Sequence, residues 1–252
     1  MSVNEKMTAI ANAIREKTGG TDALTLDAMV EAIAGLGGGS NGGGDEASVL
    51  DSLIDGSITE ILSNASSLKA YIFLDSSQLK KASFPLATKI YKEAFNGCSA
   101  LEEINFPLLR ELSGTKTFYN CILLKKVYFP SFIGRIGHSA NNSAGSQAFY
   151  SCNSLEIARF YKPETIGYNA FCACYNLKAL IIEANELCTL EKNNAFVNSS
   201  IESGTGFIYV PSALVETYKA ATNWSIYGTQ FRALEDYTVD GTITGELDES
   251  KI

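Results

Sequence analysis

The chain has 252 residues, 46% of them hydrophobic and 19% charged, and carries a net charge of −8. That acidic balance argues against nucleic acid or an anionic membrane as the main partner, because both demand a basic surface. No apolar run approaches the ~18 residues of a membrane span. The opening MSVNEKMTAIANAIREKTGG lacks the basic tip and apolar core of a secretory signal, so the expectation is residence in the producing cell's cytoplasm or release by another route than general secretion.

In chain order, Met7, Ile10 and Ile14 mark one face of a helix that ends near Gly19 and Gly20. Leu26, Met29, Val30 and Ile33 mark a second, with Thr25 as its N-cap and Gly35 past its end. A helical pair this short holds no core of its own. Residues 1–36 therefore read as a helical anchoring module that docks on a larger partner or self-associates into a homo-oligomer. Residues 37–48 follow as a glycine-rich linker, with a reach of roughly 15–20 Å by random-coil scaling.

From 49 to 206 one octet recurs. AFNGCSAL starts at Ala94, TFYNCILL at Thr117, AFYSCNSL at Ala148 and AFCACYNL at Ala170, with looser copies at Ile72 (IFLDSSQL) and Ala195 (AFVNSSIE). The starts at 72, 94, 117, 148, 170 and 195 are separated by 22, 23, 31, 22 and 25 residues. Periods in the twenties mark a solenoid whose coils bury their apolar faces only by stacking. Cys98, Cys121, Cys152 and Cys174 share one octet slot, where the outer copies place Ser76 and Ser199. A slot that takes Cys or Ser asks for a small side chain, so these read as buried free thiols. Cys172 and Cys174 are too close for a CxxC pair, and a single histidine makes a Cys/His zinc site improbable.

After each octet comes a strand with an LxxLxL rhythm: Leu79, Ala82, Phe84; Leu101, Ile104, Phe106; Leu124, Val127, Phe129; Leu155, Ala158, Phe160; Leu177, Leu180, Ile182. Pro85, Pro107 and Pro130 then end the strand. Ile90, Leu112, Ile136 and Ile166 line the return. Phe73, Phe95, Phe118, Phe149, Phe171 and Phe196 are expected to stack into an aromatic ladder on the convex side. On the outward strand positions Lys80 and Lys81 should face Glu102 and Glu103, which should face Lys125 and Lys126, then Glu156, then Lys178. Such opposite charges on neighbouring strands add about 0.2–1 kcal/mol each and penalise a register slip. This ladder reads as a stacking device; a paired-carboxylate site at Glu102 and Glu103 is disfavoured by the lysines on both sides.

The LxxIxFP strand, the Ile136-Gly137 and Ile166-Gly167 returns and the AFxxCxxL turn resemble the BspA-type leucine-rich repeat family. The resemblance covers about residues 58–206 and implies a right-handed solenoid with a parallel sheet on one face, used for binding or adhesion. The fold class is thus mainly β with short helices. Residues 207–252 supply the C-terminal cap and tail: a last strand at Phe207–Val210, Pro211 at a helix start, a helix through about Ala221, and Trp224 and Tyr227 closing the core. The Thr-Val and Thr-Ile pairs of the tail suggest an added edge hairpin. Residues 4–36 and the ending DYTVDGTITGELDESKI also resemble modules of phage tail and appendage proteins from phages of Gram-positive gut bacteria.

Together these readings predict a virion component that is held to a virion structural protein by its N-terminal helices. Its solenoid would contact a host surface protein, glycan or mucus. A bacterial cell-surface adhesin of the same family is the alternative. No phosphate loop, GxSxG or metal spacing is present, which argues against an enzyme and implies no cofactor. Two places suit a binding role. One is the outward row Ser83, Asn105, Tyr128, Arg159, Ile181, with Tyr161 beside it, because an arginine and aromatics on a rigid surface are typical contact anchors. The other is the insertion within residues 134–147, read as spanning 138–146, which carries His138, Asn141 and Asn142 and makes its repeat nine residues longer than its neighbours.

Overall fold

A computed structural model describes residues 59–137 and 146–236, together with two short strands at 238–239 and 242–243. The anchoring module and linker expected over 1–48 lie outside the described residues. Each coil supplies two short strands, the first at least as long as the second. In chain order these are β1 (Glu60–Leu62), β2 (Ser67–Leu68), β3 (Lys81–Ser83), β4 (Lys89–Tyr91), β5 (Glu103–Asn105) and β6 (Glu111–Ser113). Next come β7 (Lys126–Phe129), β8 (Arg135–Ile136), β9 (Ile157–Phe160), β10 (Thr165–Ile166), β11 (Ala179–Ile182) and β12 (Thr189–Leu190), then β13 (Phe207–Val210). Every strand pair in the stack is parallel, as when Lys81 lies beside Glu103 and Val127 beside Ala158. The strands end ahead of Pro85, Pro107 and Pro130, as a residue with no N–H to donate requires.

The apolar positions named above for these strands are buried, with Ile104 alone among them half-buried. The six octet phenylalanines form the expected column. Successive ring centroids lie 5.0, 5.1, 5.2, 5.3 and 5.7 Å apart from Phe73 to Phe196, and the last four pairs are within 6° of parallel. Backbone bonds run beside them, from Phe95 N to Thr117 O at 2.9 Å, Phe118 N to Ala148 O at 2.7 Å and Phe149 N to Ala170 O at 2.8 Å.

Two residues beyond each phenylalanine the backbone turns left-handed: Asp75, Gly97, Asn120, Ser151, Ala173 and Asn198 have φ between 56° and 79°. Asn, Asp and Gly tolerate that region best, which explains most of this varied slot. The reversal turns the next side chain inward, where the Cys98, Cys121, Cys152 and Cys174 thiols donate to the preceding coil's Phe73, Phe95, Phe118 and Phe149 carbonyls at 3.0–3.2 Å. The slot therefore wants a small group that also donates a hydrogen bond. All six cysteines are free and buried, and burial pushes every thiol pKa upward.

The stack is interrupted once on its strand sides. β1, β3 and β5 form one sheet and β2, β4 and β6 another, whereas β7 begins a separate sheet with β9, β11 and β13, and β8 another with β10 and β12. Glu102 N donates to Lys80 O and Glu156 N to Lys125 O, both at 2.8 Å, but among the described residues no equivalent bond joins Lys125 to Glu102. Lys81 pairs with Glu103 at 3.3 Å on one side of the break in strand pairing, and Lys178 with Glu156 at 2.8 Å on the other. Across that boundary the coils stay joined by the octet side, through the Phe95–Phe118 stack, and by Ile133 N to Arg110 O at 3.2 Å.

At the C-terminal end the helix is shorter than expected: a 3-10 turn over Ser212–Leu214 leads into α1 (Val215–Ala220). Trp224 is fully buried against Phe196 at 5.9 Å, and its indole N–H donates to Cys188 O at 2.7 Å. Tyr227 meets Phe196 edge-on at 5.2 Å and donates to Asn193 O, and burial pushes its pKa up to about 12. A strand unforeseen from sequence, β14 (Phe231–Ala233), then pairs in parallel with β13 and forms the sheet edge. The tail strands β15 (Thr238–Val239) and β16 (Thr242–Ile243) make an antiparallel hairpin of their own and do not extend that edge. No helix among the described residues is long and apolar enough to cross a membrane.

Replacing Phe118 with Ala should cost about 3–5 kcal/mol in denaturant unfolding, because it removes a ring from the middle of the column and leaves a cavity. Truncating its partly exposed neighbour Tyr119 should cost well under half as much. In the native protein the thiols of Cys98, Cys121, Cys152, Cys174 and Cys188 should resist an aromatic disulfide reagent at pH 8 and react together on unfolding, since attack needs an accessible thiolate.

Candidate binding surface

The outward side of the long strands differs between the two halves of the stack. On the first sheet it is polar and open: Lys81, Glu103 and Asn105 are exposed, and the Asn105 amide donates to the Ser83 hydroxyl at 3.0 Å. The break between β5 and β7 opens as a cleft of about 550 Å³ at the end of this surface. Glu102, Glu103 and Asn105 line one wall, Lys125, Lys126 and Tyr128 the other, and Ile104 lies in it with Pro107 and Pro130. Carboxylates, ammonium groups, an amide, a phenol and apolar patches thus face one another across a space wide enough for a side chain or a sugar ring.

On the second sheet the outward row is covered. Arg159 was expected to be exposed and is 6% exposed, and Ile181 is 0% exposed. Two contacts explain the arginine: its guanidinium lies over the Tyr128 ring, 4.5 Å from the centroid, and its Nε donates to Glu183 at 2.7 Å, with Nη2 on the same carboxylate. Glu183 stands just past β11, one coil further on, so Arg159 ties neighbouring coils together instead of presenting a free anchor. Tyr128 is half-buried beneath it. Tyr161 remains accessible at 38%, with the Lys162 ammonium 4.8 Å above its ring. The row named from sequence therefore does not form one surface: Ser83 and Asn105 belong to the open half, Arg159 and Ile181 to the covered half, and Tyr128 to the cleft.

His138, Asn141 and Asn142 lie outside the described residues, but both ends of their insertion are placed. Gly137 has φ 79°, and a Cβ there would run into Ser146. Ser146 sits in the coil itself, its N–H and its hydroxyl both donating to Tyr168 O, at 3.0 and 2.8 Å, and its carbonyl accepting from Lys116 N at 2.8 Å. The chain leaves the stack at Gly137 and re-enters it beside that point at Ser146. No group of three or more His, Cys, Asp or Glu that could hold a metal occurs among the described residues.

Six copies of the BspA type leucine rich repeat region match residues 57–144 and 139–213. The chain belongs to the BspA type leucine-rich repeat family. Among solved structures this BspA-type chain is similar to the pneumococcal vaccine antigen PcpA, at 20% identity over 69% of this chain and 39% of that one, with a TM-score of 0.44. It is also similar to the T. pallidum leucine rich repeat protein TpLRR, at 18% identity over 63% of this chain and 81% of that one, with a TM-score of 0.37. A leucine-rich repeat protein from Bacteroides ovatus gives 18% identity over 58% of this chain and 43% of that one, with a TM-score of 0.36. The chain thus spans well under half the length of the PcpA chain it matches. A search of curated proteins gives no match.

In the BspA-type stack the Arg159–Glu183 pair is a test of inter-coil attachment. Glu183→Ala should destabilise the protein by about 2–3 kcal/mol in urea unfolding, since it strips a partner from a buried guanidinium. Lys81→Ala, which removes half of an exposed pair, should cost under about 1 kcal/mol.

Proposed function

We propose that this protein is a non-enzymatic attachment protein, whose solenoid presents the open outward side of β1, β3 and β5 and the adjoining cleft to a ligand on a host-cell or mucosal surface. The observation that carries this reading is the cleft between β5 and β7, where a rigid parallel stack leaves apolar, acidic, basic and amide groups uncovered side by side. Recognition needs such a mixture on a scaffold that loses little freedom on binding. Loops inserted into repeat scaffolds are a second place for recognition, and the insertion between Gly137 and Ser146 is the candidate here.

In this reading residues 1–36 hold the protein to a larger assembly and the glycine-rich stretch after them sets its reach. The likeness of residues 4–36 and of the closing segment to phage tail and appendage modules favours a virion over a cell wall as that assembly. Fractionation separates the two: the protein should co-sediment with purified particles, and recovery on uninfected cells would place it on the bacterial surface.

Binding of the full chain to host-cell envelopes and to a glycan array tests the recognition surface. The Asn105→Ala/Lys125→Ala variant, which alters exposed side chains on opposite cleft walls, should lose binding by about tenfold or more while melting at the parent temperature. Undiminished binding by that variant would remove the cleft from consideration, and undiminished binding by a chain lacking 138–145 would remove the loop.

A further inference from the structure

One side of the solenoid is built without charge. The four central octets, 94–101, 117–124, 148–155 and 170–177, contain no Asp, Glu, Lys, Arg or His, although each is followed directly by a charged residue: Glu102, Lys125, Glu156 and Lys178. The phenylalanine, the cysteine that follows it by three and the final leucine of each octet are buried. The outward positions stack in columns of their own. Tyr119 and Tyr150 lie 5.0 Å apart and 11° from parallel, and the Lys116 ammonium stands 5.3 Å from the Tyr119 ring, so this pair presents ring edges and hydroxyls. Tyr175, one coil on, is 58% exposed and makes no ring contact among the described residues, which leaves its face open. Its phenol lies near that of Tyr150, whose pKa is raised first by Cys172 and burial and then by Tyr119 and Tyr175. Ile122 and Leu123 add bare aliphatic surface in the Tyr119 coil. The Asn176 amide donates to Asn153 O at 2.7 Å and the Ser200 hydroxyl to Tyr175 O, which ties the coils beneath this surface.

We propose that this octet side binds an uncharged polysaccharide, laid along the solenoid axis over Tyr119, Tyr150 and Tyr175. A neutral sugar offers hydroxyls and apolar C–H patches and no charge. Phenol, amide and hydroxyl groups around aromatic and aliphatic carbon match both, and tyrosine, serine and asparagine make contacts of this kind at little entropic cost. A polyanion would meet no counter-charge on these octets, and a protein surface would bring charged rim groups to a face that has none to answer them. The spacing fits as well. Successive coils advance by 5.0–5.3 Å along the phenylalanine column from Phe73 to Phe171, comparable with one pyranose unit of an extended chain, so consecutive sugars would meet equivalent positions of consecutive coils. The stacked coils hold those positions rigidly, and a surface already ordered loses little freedom on binding. This face shares no residue with the cleft between β5 and β7, and its occupant does not depend on the attachment reading.

Surface plasmon resonance of the full chain over an immobilised uncharged glucan, mannan and galactan tests this, with hyaluronan as the anionic control. At least one neutral polymer should bind, more tightly than hyaluronan and equally well at about 50 and about 500 mM salt, since no ion pair is made. Tyr175→Ala should weaken that binding by about tenfold while melting at the parent temperature. Tyr119→Phe/Tyr150→Phe, which keeps the ring stack and removes both hydroxyls, should weaken it by about threefold. The cleft variant Asn105→Ala/Lys125→Ala should bind the neutral polymer as the parent does, so the cleft and the octet side stand or fall separately. Binding to none of the three polymers, equal binding to hyaluronan, loss of binding at high salt or parent-like binding by Tyr175→Ala would overturn the proposal. So would a dimer in sedimentation velocity that Tyr175→Ala converts to a monomer, because a second copy of the chain would then cover this face.

Discussion

The stacking of one octet on the next is the constraint from which the rest of the structure follows. Each octet places a phenylalanine ring about 5 Å above the last, reverses direction through a left-handed residue, and aims a thiol at the carbonyl of the preceding phenylalanine. Ring, backbone and side chain thus fix the same spacing independently, and a coil shifted by one residue would lose all three at once. That redundancy explains why this side keeps its full set of contacts where strand pairing stops, between β5 and β7 and between β6 and β8.

Beyond that column the two halves of the solenoid use the same outward positions for opposite purposes. Along one row the residues run Ser83, Asn105, Tyr128, Arg159, Ile181, Tyr209 and Arg232, polar at first and then aromatic and aliphatic. The change of character coincides with the break in the sheets. Before it, side chains bond along the row and stay wet, as in the Asn105–Ser83 pair; after it, Arg159 turns from solvent to Glu183 and Tyr128, and Ile181 is shut in. A guanidinium that is desolvated, stacked and ion-paired contributes rigidity more than recognition.

Much of this was legible in the sequence because repetition supplies its own alignment. Equivalent positions of the octet and of the LxxLxL strand could be compared with one another, so the phenylalanine column, the buried thiols, β13 and the closing role of Trp224 and Tyr227 all followed from local pattern. What escaped depends on contacts between coils or on non-repeated chain. The break at β5 and β7 has no signature in period or composition: LEEINFP and LKKVYFP look like ideal neighbours. Arg159 looked like an anchor because the residue that captures it, Glu183, lies 24 positions away and outside the strand motif. β14 comes from a segment with no repeat partner, and its pairing depends on the turn that α1 makes.

The mechanical consequence is specific to this arrangement. A solenoid with continuous ladders on every side resists bending uniformly, since opening any boundary breaks strand bonds and uncovers core together. Here one boundary lacks the strand bonds already, and Ile104 beside it is half-buried while its counterparts Ala82, Val127, Ala158 and Leu180 are sealed. The Phe95–Phe118 stack and the bonds from Phe95 N to Thr117 O and Gly97 N to Tyr119 O oppose separation on the octet side, helped by the single bond from Ile133 N to Arg110 O ahead of β6 and β8. Deformation therefore concentrates at that boundary, with the phenylalanine column as fulcrum and the cleft as the part that widens.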